Sequence, residues 1–456
     1  MTLERARHQM PGGPGRNAQG RGEARPDRVR DEARAARDGQ PHWGPDGLLA
    51  QALEKHNMAR AWKRVKANKG SAGVDGRSVQ ETGEWLKTEW PATRQRLLDG
   101  TYRPSPVRRV GIPKPGGGTR ELGIPTVVDR LIQQALLQVL QPLIDPTFSA
   151  HSHGFRPGHS AHDAVREAKR YIEQGYKVVV DVDLEKFFDR VNHDILMDRL
   201  SRHIADWAVL RLIRRYLNAG IMAHGVVLER YEGTPQGGPL SPLLANVLLD
   251  EVDRELERRG HRFVRYADDC NVYIKSKRAG ERVLAGLRHC YDRLRLTVNE
   301  AKTAVGPVWG RKFLGYCFYP APKGAVWCAV SKQAQQRFKA RIREITRRVT
   351  GRSMLAIAQD LRSYVPGWKA YFLLSAMPSI WRSLDKWMRH RLRAIQLKQW
   401  KRGTTIYREL RAMDVSADLA AQVAGHARRW WHTSGDSLNR VLTVAYFDRL
   451  GVPRLC

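Results

Sequence analysis

Two short acidic segments, each attached to an apolar run, constrain the fold of this chain more than any other feature. "VVVDVDL" carries Asp181 and Asp183 in a β-branched run that is typical of a buried strand. "FVRYADDCNVYI" carries Asp268 and Asp269 between two runs that predict short strands around a tight turn. Side chains alternate along a strand, so Asp181 and Asp183 share one face. A strand and a hairpin of this kind, lying side by side, would bring carboxylates from distant parts of the chain together.

Carboxylates gathered in this way suit a reaction that depends on magnesium. Nucleotide polymerisation requires a 3′-hydroxyl to attack a triphosphate, and two divalent ions about 3.5–4 Å apart can neutralise the charge that develops. Mg²⁺ prefers hard oxygen ligands. Aspartate at a turn also caps local backbone amides without binding a metal. The acidic segments alone therefore leave a metal site and a local structural role both open.

Helix signals surround the acidic segments. "HSAHDAVREAKRYIEQG" offers Ser160 as a helix N-cap and Gly175 as a terminator. "LSPLLANVLLDEVDRELERRG" offers Ser241 as a cap with Pro242 at the first helical position. Helix then strand, followed by helix then hairpin, predicts an α+β fold with helices packed on one face of a sheet.

The chain is strongly basic, with 79 Lys and Arg against 46 Asp and Glu and a formal net charge of +33. Such an excess repels itself in a folded protein and usually reflects a polyanionic partner. Nucleic acid is favoured, because each neutralised phosphate releases a condensed counterion. A membrane is disfavoured, because no stretch approaches the roughly 20 apolar residues of a spanning helix.

The cysteines and the N-terminus indicate the compartment. Five scattered cysteines without a CxxC pair are typical of a reducing environment, and they argue against a disulfide framework or a cysteine-rich zinc site. The stretch from Met1 to Gly20 lacks the apolar run of a signal peptide. We therefore expect a cytoplasmic protein.

Composition divides the chain into three regions. Residues 1–45 are rich in Gly, Pro, Arg and Ala and predict a disordered basic arm. Residues 46–330 hold the acidic segments and the α+β pattern. Residues 331–456 contain 25 Lys and Arg against 8 Asp and Glu, with apolar residues at helical spacing, and predict a helical domain with one strongly basic face.

A series of segments from about Leu48 onward resembles the group II intron reverse transcriptases and maturases. The segments occur in the order that this family shows, which makes the resemblance specific. They are "NMARAWKRVKANKGSAGVDG", "RVGIPKPGGGTRELGIPTVVDRLIQQAL", "FSAHSHGFRPGHSAHDA", "DVDLEKFFDRVNHDIL", "GTPQGGPLSPLLANVLLDEVD", "FVRYADDCNVYI", "LTVNEAKT" and "KFLGY".

The resemblance implies a fold and an activity. The fold is the right-hand polymerase fold, with fingers and palm over residues 46–330, where an antiparallel sheet packs on helices, and an α-helical thumb/maturase domain over residues 331–456. The activity is RNA-directed DNA polymerisation, in which intron RNA is copied into DNA, together with assistance to intron splicing. Alternatives are an RNA-binding splicing cofactor without polymerase activity, and a related reverse transcriptase used in phage defence or spacer acquisition.

The resemblance also implies catalytic and metal-binding residues. Asp183, Asp268 and Asp269 match the family's palm aspartates, which are expected to hold two Mg²⁺ ions, with Asp268 a direct ligand. Asp181 lies two residues before the matching position and is the alternative, as a structural or supporting acid.

Five further positions match residues that bind the incoming nucleotide. Lys114 and Arg120 flank a "PGGG" turn and would grip the triphosphate, although exposed cations on a hairpin can simply be solvated. Phe188 matches a steric gate against the ribose 2′-hydroxyl, with a core side chain as the alternative. Gln236 matches a nucleotide contact in "TPQGG". Lys302 matches a lysine that protonates the leaving pyrophosphate.

Partners follow from the same resemblance. They are group II intron RNA, an RNA template/DNA primer duplex, deoxynucleoside triphosphates and a DNA target site, in the nucleoid of a bacterium. Many family members carry a cysteine-containing HNH endonuclease that this sequence lacks, so we expect priming from a nascent strand or another nick. The oligomeric state is left open.

Overall fold

The computed structural model describes residues 47–113, 119–223, 226–228, 232–234, 237–348 and 351–456. The basic arm predicted for residues 1–45 lies outside these ranges. The described chain forms two compact units, one ending at Pro307 and the other beginning at Val308. This division does not coincide with the boundary predicted after residue 330, and the functional names of the domains stay a prediction.

The first unit is mixed helix and strand. Its helices are α1 (Gly47–Ala52), α2 (Lys55–Ala67), α3 (Val79–Leu98), α4 (Val127–Ile144), α5 (Ala161–Glu173), α6 (His193–Ser201), α7 (Trp207–Leu217), α8 (Ser241–Arg258) and α9 (Lys277–Arg293). Its strands are β1 (Val107–Pro113), β2 (Thr119–Ile124), β3 (Val178–Val182), β4 (Ile221–Ala223), β5 (Val226–Leu228), β6 (Arg262–Tyr266), β7 (Asp269–Ile274) and β8 (Ala304–Pro307).

The central sheet has the order β6-β7-β3-β8, with every neighbouring pair antiparallel. β3 lies between β7 and β8, so it is an internal strand, which explains its continuous run of β-branched residues. Val180 and Val272 are fully buried in one core that also contains side chains from α8 and α9. The sheet thereby holds both acidic segments on adjacent strands.

A second sheet in this unit has the order β2-β1-β4-β5. The β1–β2 hairpin is antiparallel, with Arg108 opposite Ile124, and β1 also pairs in parallel with β4. The predicted "PGGG" turn falls on residues 115–118, which lie outside the described residues.

One buried carboxylate joins two helix starts. Asp206 is fully buried, and its Oδ1 accepts hydrogen bonds from the amides of Ala208 and Val209 at the start of α7. Its Oδ2 accepts from the amides of Leu48 and Leu49 in α1, at 3.0 and 3.1 Å. The first turns of both helices leave amides without intrahelical partners, and this single side chain satisfies four of them.

The second unit begins with a small sheet and continues as helices. Its strands, in the order β11-β10-β9, are β9 (Lys312–Phe313), β10 (Tyr316–Pro320) and β11 (Val326–Val330). Its helices are α10 (Lys332–Ile345), α11 (Met354–Tyr371), α12 (Pro378–Trp400), α13 (Gly403–Arg411), α14 (Ala417–Gly425), α15 (Trp430–Gly435), α16 (Ser437–Val441) and α17 (Val444–Arg449). Phe338, Leu361 and Leu392 are fully buried at the centre of its core.

The predicted α+β fold with a helical C-terminal region is confirmed. Ser160 caps α5 by accepting from the amide of Asp163, and Gly175 follows the helix with a φ of 92°. The start of α8 was predicted one position too late: Ser241 is already the first helical residue, and the N-cap position belongs to Leu240.

Candidate active site

The register of the central sheet brings the two acidic segments together. β3 and β7 pair antiparallel with Val182 opposite Cys270. Asp183 follows Val182 and Asp269 precedes Cys270, so both aspartates lie next to the last residue pair of β3 and β7, at the same end of the sheet. Asp183 is half-buried and Asp269 is exposed, so the pair lies at an accessible edge of the sheet.

Asp268 lies in the turn between β6 and β7. Tyr266 pairs with Asp269, which leaves Ala267 and Asp268 as a two-residue connection. Ala267 has a φ of 58°, a left-handed conformation that costs a non-glycine residue about 1–2 kcal/mol. Such turns match the twist of the flanking strands. The hairpin therefore holds Asp268 half-buried beside Asp269, in a conformation that the surrounding structure must stabilise.

The segment before β8 surrounds the backbone of Asp183. The Asp183 carbonyl accepts from the amide of Asn299 at 2.8 Å, and its amide donates to the Thr303 hydroxyl at 3.2 Å. Lys302 lies in the same segment, and its Nζ donates to both carboxylate oxygens of Asp183 at 3.2 Å. The structure thus places Lys302, which sequence reasoning assigned to the leaving pyrophosphate, directly against Asp183.

Asp181 has a different environment from Asp183. It pairs with Asn271 across β3 and β7, and the Asn271 amide, with its nitrogen towards the carboxylate, donates to Asp181 Oδ1 at 2.9 Å. Asn271 was not identified from the sequence. This contact supports the interpretation of Asp181 as a supporting acid.

Phe188 is nearly buried beside the loop that precedes Gln236. Its side chain is 9% exposed and its ring lies 5.1 Å from that of Phe187, in an edge-on arrangement. The Phe188 carbonyl accepts from the amide of Thr234 at 2.7 Å. A Cβ on Gly233, whose φ is 88°, would lie 2.9 Å from that carbonyl oxygen. Only glycine allows the loop to approach the Phe188 backbone so closely.

The other nucleotide-binding candidates are only partly described. Lys114 and Gln236 lie outside the described residues, and Arg120 belongs to β2, although its side chain is not described. Gly237, directly after Gln236, lies against that strand, since a Cβ there would be 2.7 Å from the carbonyl oxygen of Gly123. The chain before Gln236 therefore approaches Phe188, and the chain after it approaches β2.

The donor chemistry of the aspartates fits Mg²⁺, because carboxylates are hard oxygen ligands. As the described side chains stand, no group of three or more His, Cys, Asp or Glu is arranged to hold a metal ion. The Lys302 ammonium forms an ion pair with the Asp183 carboxylate. The sheet therefore brings suitable ligands to one edge without closing a coordination sphere around them.

Sequence reasoning missed two residues that lie beside this site and help to hold its loops, His193 and Arg265. His193 contacts the Gly233 carbonyl through Nε2 at 2.8 Å and the Asn218 side chain through Nδ1 at 3.0 Å. Arg265, beside the acidic turn, is 1% exposed. The available signal was an arginine inside an apolar strand, since arginine is almost never fully buried without a charged partner.

Comparison with known proteins identifies two families, each over a separate part of the chain. Residues 112–318 match the family described as reverse transcriptase (RNA-dependent DNA polymerase), and residues 335–413 match the group II intron, maturase-specific domain. Within the described residues, no helix has the length and apolar character needed to cross a membrane.

Three relatives show how far the similarity extends. Protein YkfC of Escherichia coli (strain K12) is 38% identical over 46% of this chain and 57% of its own length. Group II intron-encoded protein LtrA of Lactococcus lactis subsp. cremoris is 43% identical over 42% of this chain and 32% of its own. The putative COX1/OXI3 intron 1 protein of Saccharomyces cerevisiae is 32% identical over 56% and 30%. The alignments thus span between about a third and just over half of these relatives.

Proposed function

The chain belongs to the family of group II intron reverse transcriptases and maturases, and from this premise we propose that it is an RNA-directed DNA polymerase that copies its intron RNA and assists splicing. The observation that carries the polymerase proposal is that Asp183 and Asp269 lie at the same end of the β3–β7 pairing, with Asp268 in the adjoining turn. Carboxylates on one strand and on a neighbouring hairpin are what two-metal nucleotidyl transfer requires.

Asp183, Asp268 and Asp269 would hold the metal ions. When bound, two Mg²⁺ ions would activate the primer 3′-hydroxyl and neutralise the charge on the triphosphate. Lys302 compensates the charge of Asp183 and would turn to the leaving pyrophosphate as the nucleotide is added. Because Lys302 is 65% exposed, its long side chain can make this movement without disturbing the core.

The incoming deoxynucleotide would lie between the β1–β2 hairpin and Phe188. Lys114 and Arg120 would bind the triphosphate, and Gln236 would contact the nucleotide. The approach of Gly237 to β2 and of Thr234 to Phe188 supports a shared pocket for these residues. The Phe188 ring would meet a ribose 2′-hydroxyl and so favour deoxynucleotides.

The second unit would bind structured RNA through its basic surface. Lys339, Arg343 and Arg391 all place their cationic groups 5.5–5.6 Å from the ring centre of Trp387. Cations arranged around a half-buried indole can meet phosphates while the ring keeps their side chains ordered. This surface supports a maturase role on intron RNA. The template–primer duplex and a DNA target would be further partners. The protein would act in the cytoplasm of a bacterium.

Primer extension with Mg²⁺ on an RNA template tests this function. Asp268→Asn should abolish DNA synthesis while leaving RNA affinity largely unchanged, because it removes a ligand charge and keeps the side-chain shape. Asp292→Asn is the matched control, since Asp292 is an exposed aspartate on α9. Wild-type extension by the Asp268 variant would contradict the assignment. RNA binding by the wild type without any extension would instead favour a splicing cofactor.

A further inference from the structure

We propose that Arg265 is a positioning residue for the Ala267–Asp268 turn: its guanidinium holds the turn carbonyl and thereby fixes where the Asp268 carboxylate stands. This inference rests on the proposed polymerase function, in which Asp268 binds metal. It concerns a side chain that would itself touch neither metal nor nucleotide.

Arg265 forms an ion pair with Asp253 that is removed from solvent. The Asp253 side chain is 0% exposed and that of Arg265 is 1% exposed. Arg265 Nε donates to Oδ1 and Oδ2 at 2.8 and 2.9 Å, and Nη2 donates to Oδ2 at 2.6 Å. Asp253 belongs to α8, so this pair ties the strand that leads into the turn to the helix behind it.

The remaining nitrogen of the guanidinium reaches the turn itself. Nη1 donates to the carbonyl oxygen of Ala267 at 2.9 Å and to Asn246 Oδ1 at 2.9 Å. Asn246, also on α8, donates in turn to the Gly154 carbonyl at 2.9 Å. The guanidinium therefore connects the turn to α8, and the Asn246 side chain extends this network to the neighbouring loop.

That loop also packs directly against the turn. The Arg265 amide donates to the His151 carbonyl and its carbonyl accepts from the His153 amide, both at 2.9 Å. At Gly154 a Cβ would lie 2.1 Å from the Ala267 nitrogen, which is closer than any side chain can approach. The turn is therefore held between the loop backbone and the guanidinium.

The chemistry explains why arginine occupies this position. A buried ion pair gives little net stability, because both charges lose their hydration. A planar fork with several donors can bind a carboxylate, an amide oxygen and a carbonyl oxygen simultaneously, whereas a lysine ammonium has no comparable fixed geometry. Arg265 thus fixes the left-handed Ala267, which would otherwise have little reason to keep its conformation.

Two variants test the proposal. Arg265→Lys keeps the charge beside Asp253 but removes the fork, and Asn246→Ala removes the second acceptor of Nη1. The matched control is Arg389→Lys in the second unit, because Arg389 is also 1% exposed and bonds Asp385 through Nε at 2.8 Å. For each, we would measure the melting temperature, kcat and KM for nucleotide addition, and Kd for a primer–template.

We expect kcat to fall about 10- to 100-fold in Arg265→Lys, since a displacement near 1 Å of a reacting group can cost about 10²-fold. KM for the nucleotide and Kd for the primer–template should change little. Asn246→Ala should show the same pattern to a smaller extent, and it carries the test if the lysine variant does not fold. Arg389→Lys should lower the melting temperature and leave kcat near the wild-type value.

The result that overturns the proposal is a wild-type kcat in folded Arg265→Lys and Asn246→Ala, or an equal fall of kcat in Arg389→Lys. Asp268→Asn separates this failure from a failure of the proposed function. If Asp268→Asn is inactive while the two variants keep the wild-type kcat, only the positioning role is wrong. If Asp268→Asn extends primers normally, the proposed function itself is wrong.

Discussion

Lys302 Nζ lies 3.2 Å from each carboxylate oxygen of Asp183, so one ammonium group is shared by the whole carboxylate. The two residues are 119 positions apart in the chain and meet because the segment before β8 wraps the end of β3. The Lys302 side chain is 65% exposed and that of Asp183 is 30% exposed, so the ion pair contributes at most about 1 kcal/mol to stability. The ion pair is important because it places a positive charge beside the Asp183 carboxylate.

Lys302→Met should slow nucleotide addition about 10²-fold at saturating nucleotide, because it removes the proposed general acid for the leaving pyrophosphate. The melting temperature should be unchanged. Lys277→Met is the matched control, since Lys277 is similarly exposed and pairs with Glu281 on α9. Single-turnover kinetics measure the effect, and a wild-type rate in the Lys302 variant would exclude the leaving-group role.

Phe188→Val should increase the use of ribonucleotides relative to deoxynucleotides, because it removes the ring that we propose meets the 2′-hydroxyl. Phe187→Val is a close control: it changes the neighbouring ring, which is 3% exposed. Both substitutions remove buried ring atoms and should cost on the order of 3 kcal/mol of stability. Competition between the two nucleotide types gives the ratio, and equal selectivity in both variants would leave Phe188 as a core residue alone.

Gly154→Ala should destabilise the acidic turn, because the added Cβ would lie 2.1 Å from the Ala267 nitrogen and the backbone must move. Overpacking typically costs about 1–3 kcal/mol. We expect a lower urea midpoint and weaker primer extension together. Gly47→Ala serves as the control, since no atom lies within 4 Å of a Cβ there. Full activity in the Gly154 variant would show that the turn tolerates displacement.

Glu167→Gln should make stability less sensitive to acid. Burial opposes ionisation of Glu167, but hydrogen bonds from His151, His153 and Tyr171 outweigh it and hold the pKa of this carboxyl well below its usual range. Since a glutamate in an unfolded chain has a pKa of about 4.3, the stabilisation is complete above that pH. It is lost as the pH falls below that value towards the folded-state pKa.

The measurement is the urea midpoint between about pH 3 and pH 7 for the wild type and the variant. The wild type should lose stability more steeply below about pH 4.3, although the variant is weaker at neutral pH. Glu89→Gln, at an exposed position on α3, should follow the wild-type curve. Parallel curves for the wild type and Glu167→Gln would contradict the role of the histidine contacts.

Arg343→Gln should weaken RNA binding and reduce its salt dependence. Each phosphate contact contributes about 0.7–0.9 to the slope of log affinity against log salt concentration. Arg341→Gln, on the same helix, is the control because Arg341 pairs with Glu344 at 2.7 Å. Filter binding at several salt concentrations gives both slopes. An unchanged slope for the Arg343 variant would show that the cations around Trp387 do not bind RNA.

Patterns among neighbouring residues predicted the positions of helices and strands well. They predicted poorly which residues contact each other across the fold. Ser160 and Gly175 identified both ends of α5 because capping depends on neighbouring residues alone. The start of α8 was missed by one residue because Pro242 is compatible with either of the first two helical positions. In each case the element itself was predicted, because apolar periodicity is a strong signal.

The site was predictable only in part. The aspartates of the acidic segments were found because two runs of β-branched residues end beside them. The contacts of Lys302 with Asp183 and of Arg265 with Asp253 depend on chain crossings that no local pattern encodes. An arginine inside an apolar strand indicates that a buried charge needs a partner, but the local sequence does not identify which residue that partner is. The roles of Lys114, Arg120 and Gln236 stay predictions.

Because Asp206 caps two helices, it couples the local unfolding of their first turns. One carboxylate closes the starts of α1 and α7, so fraying of either helix start leaves a buried negative charge with half of its donors. The two starts should therefore open as one cooperative unit rather than separately. Amides of Leu48 and Val209, although 161 positions apart, would exchange with solvent deuterium through a common event.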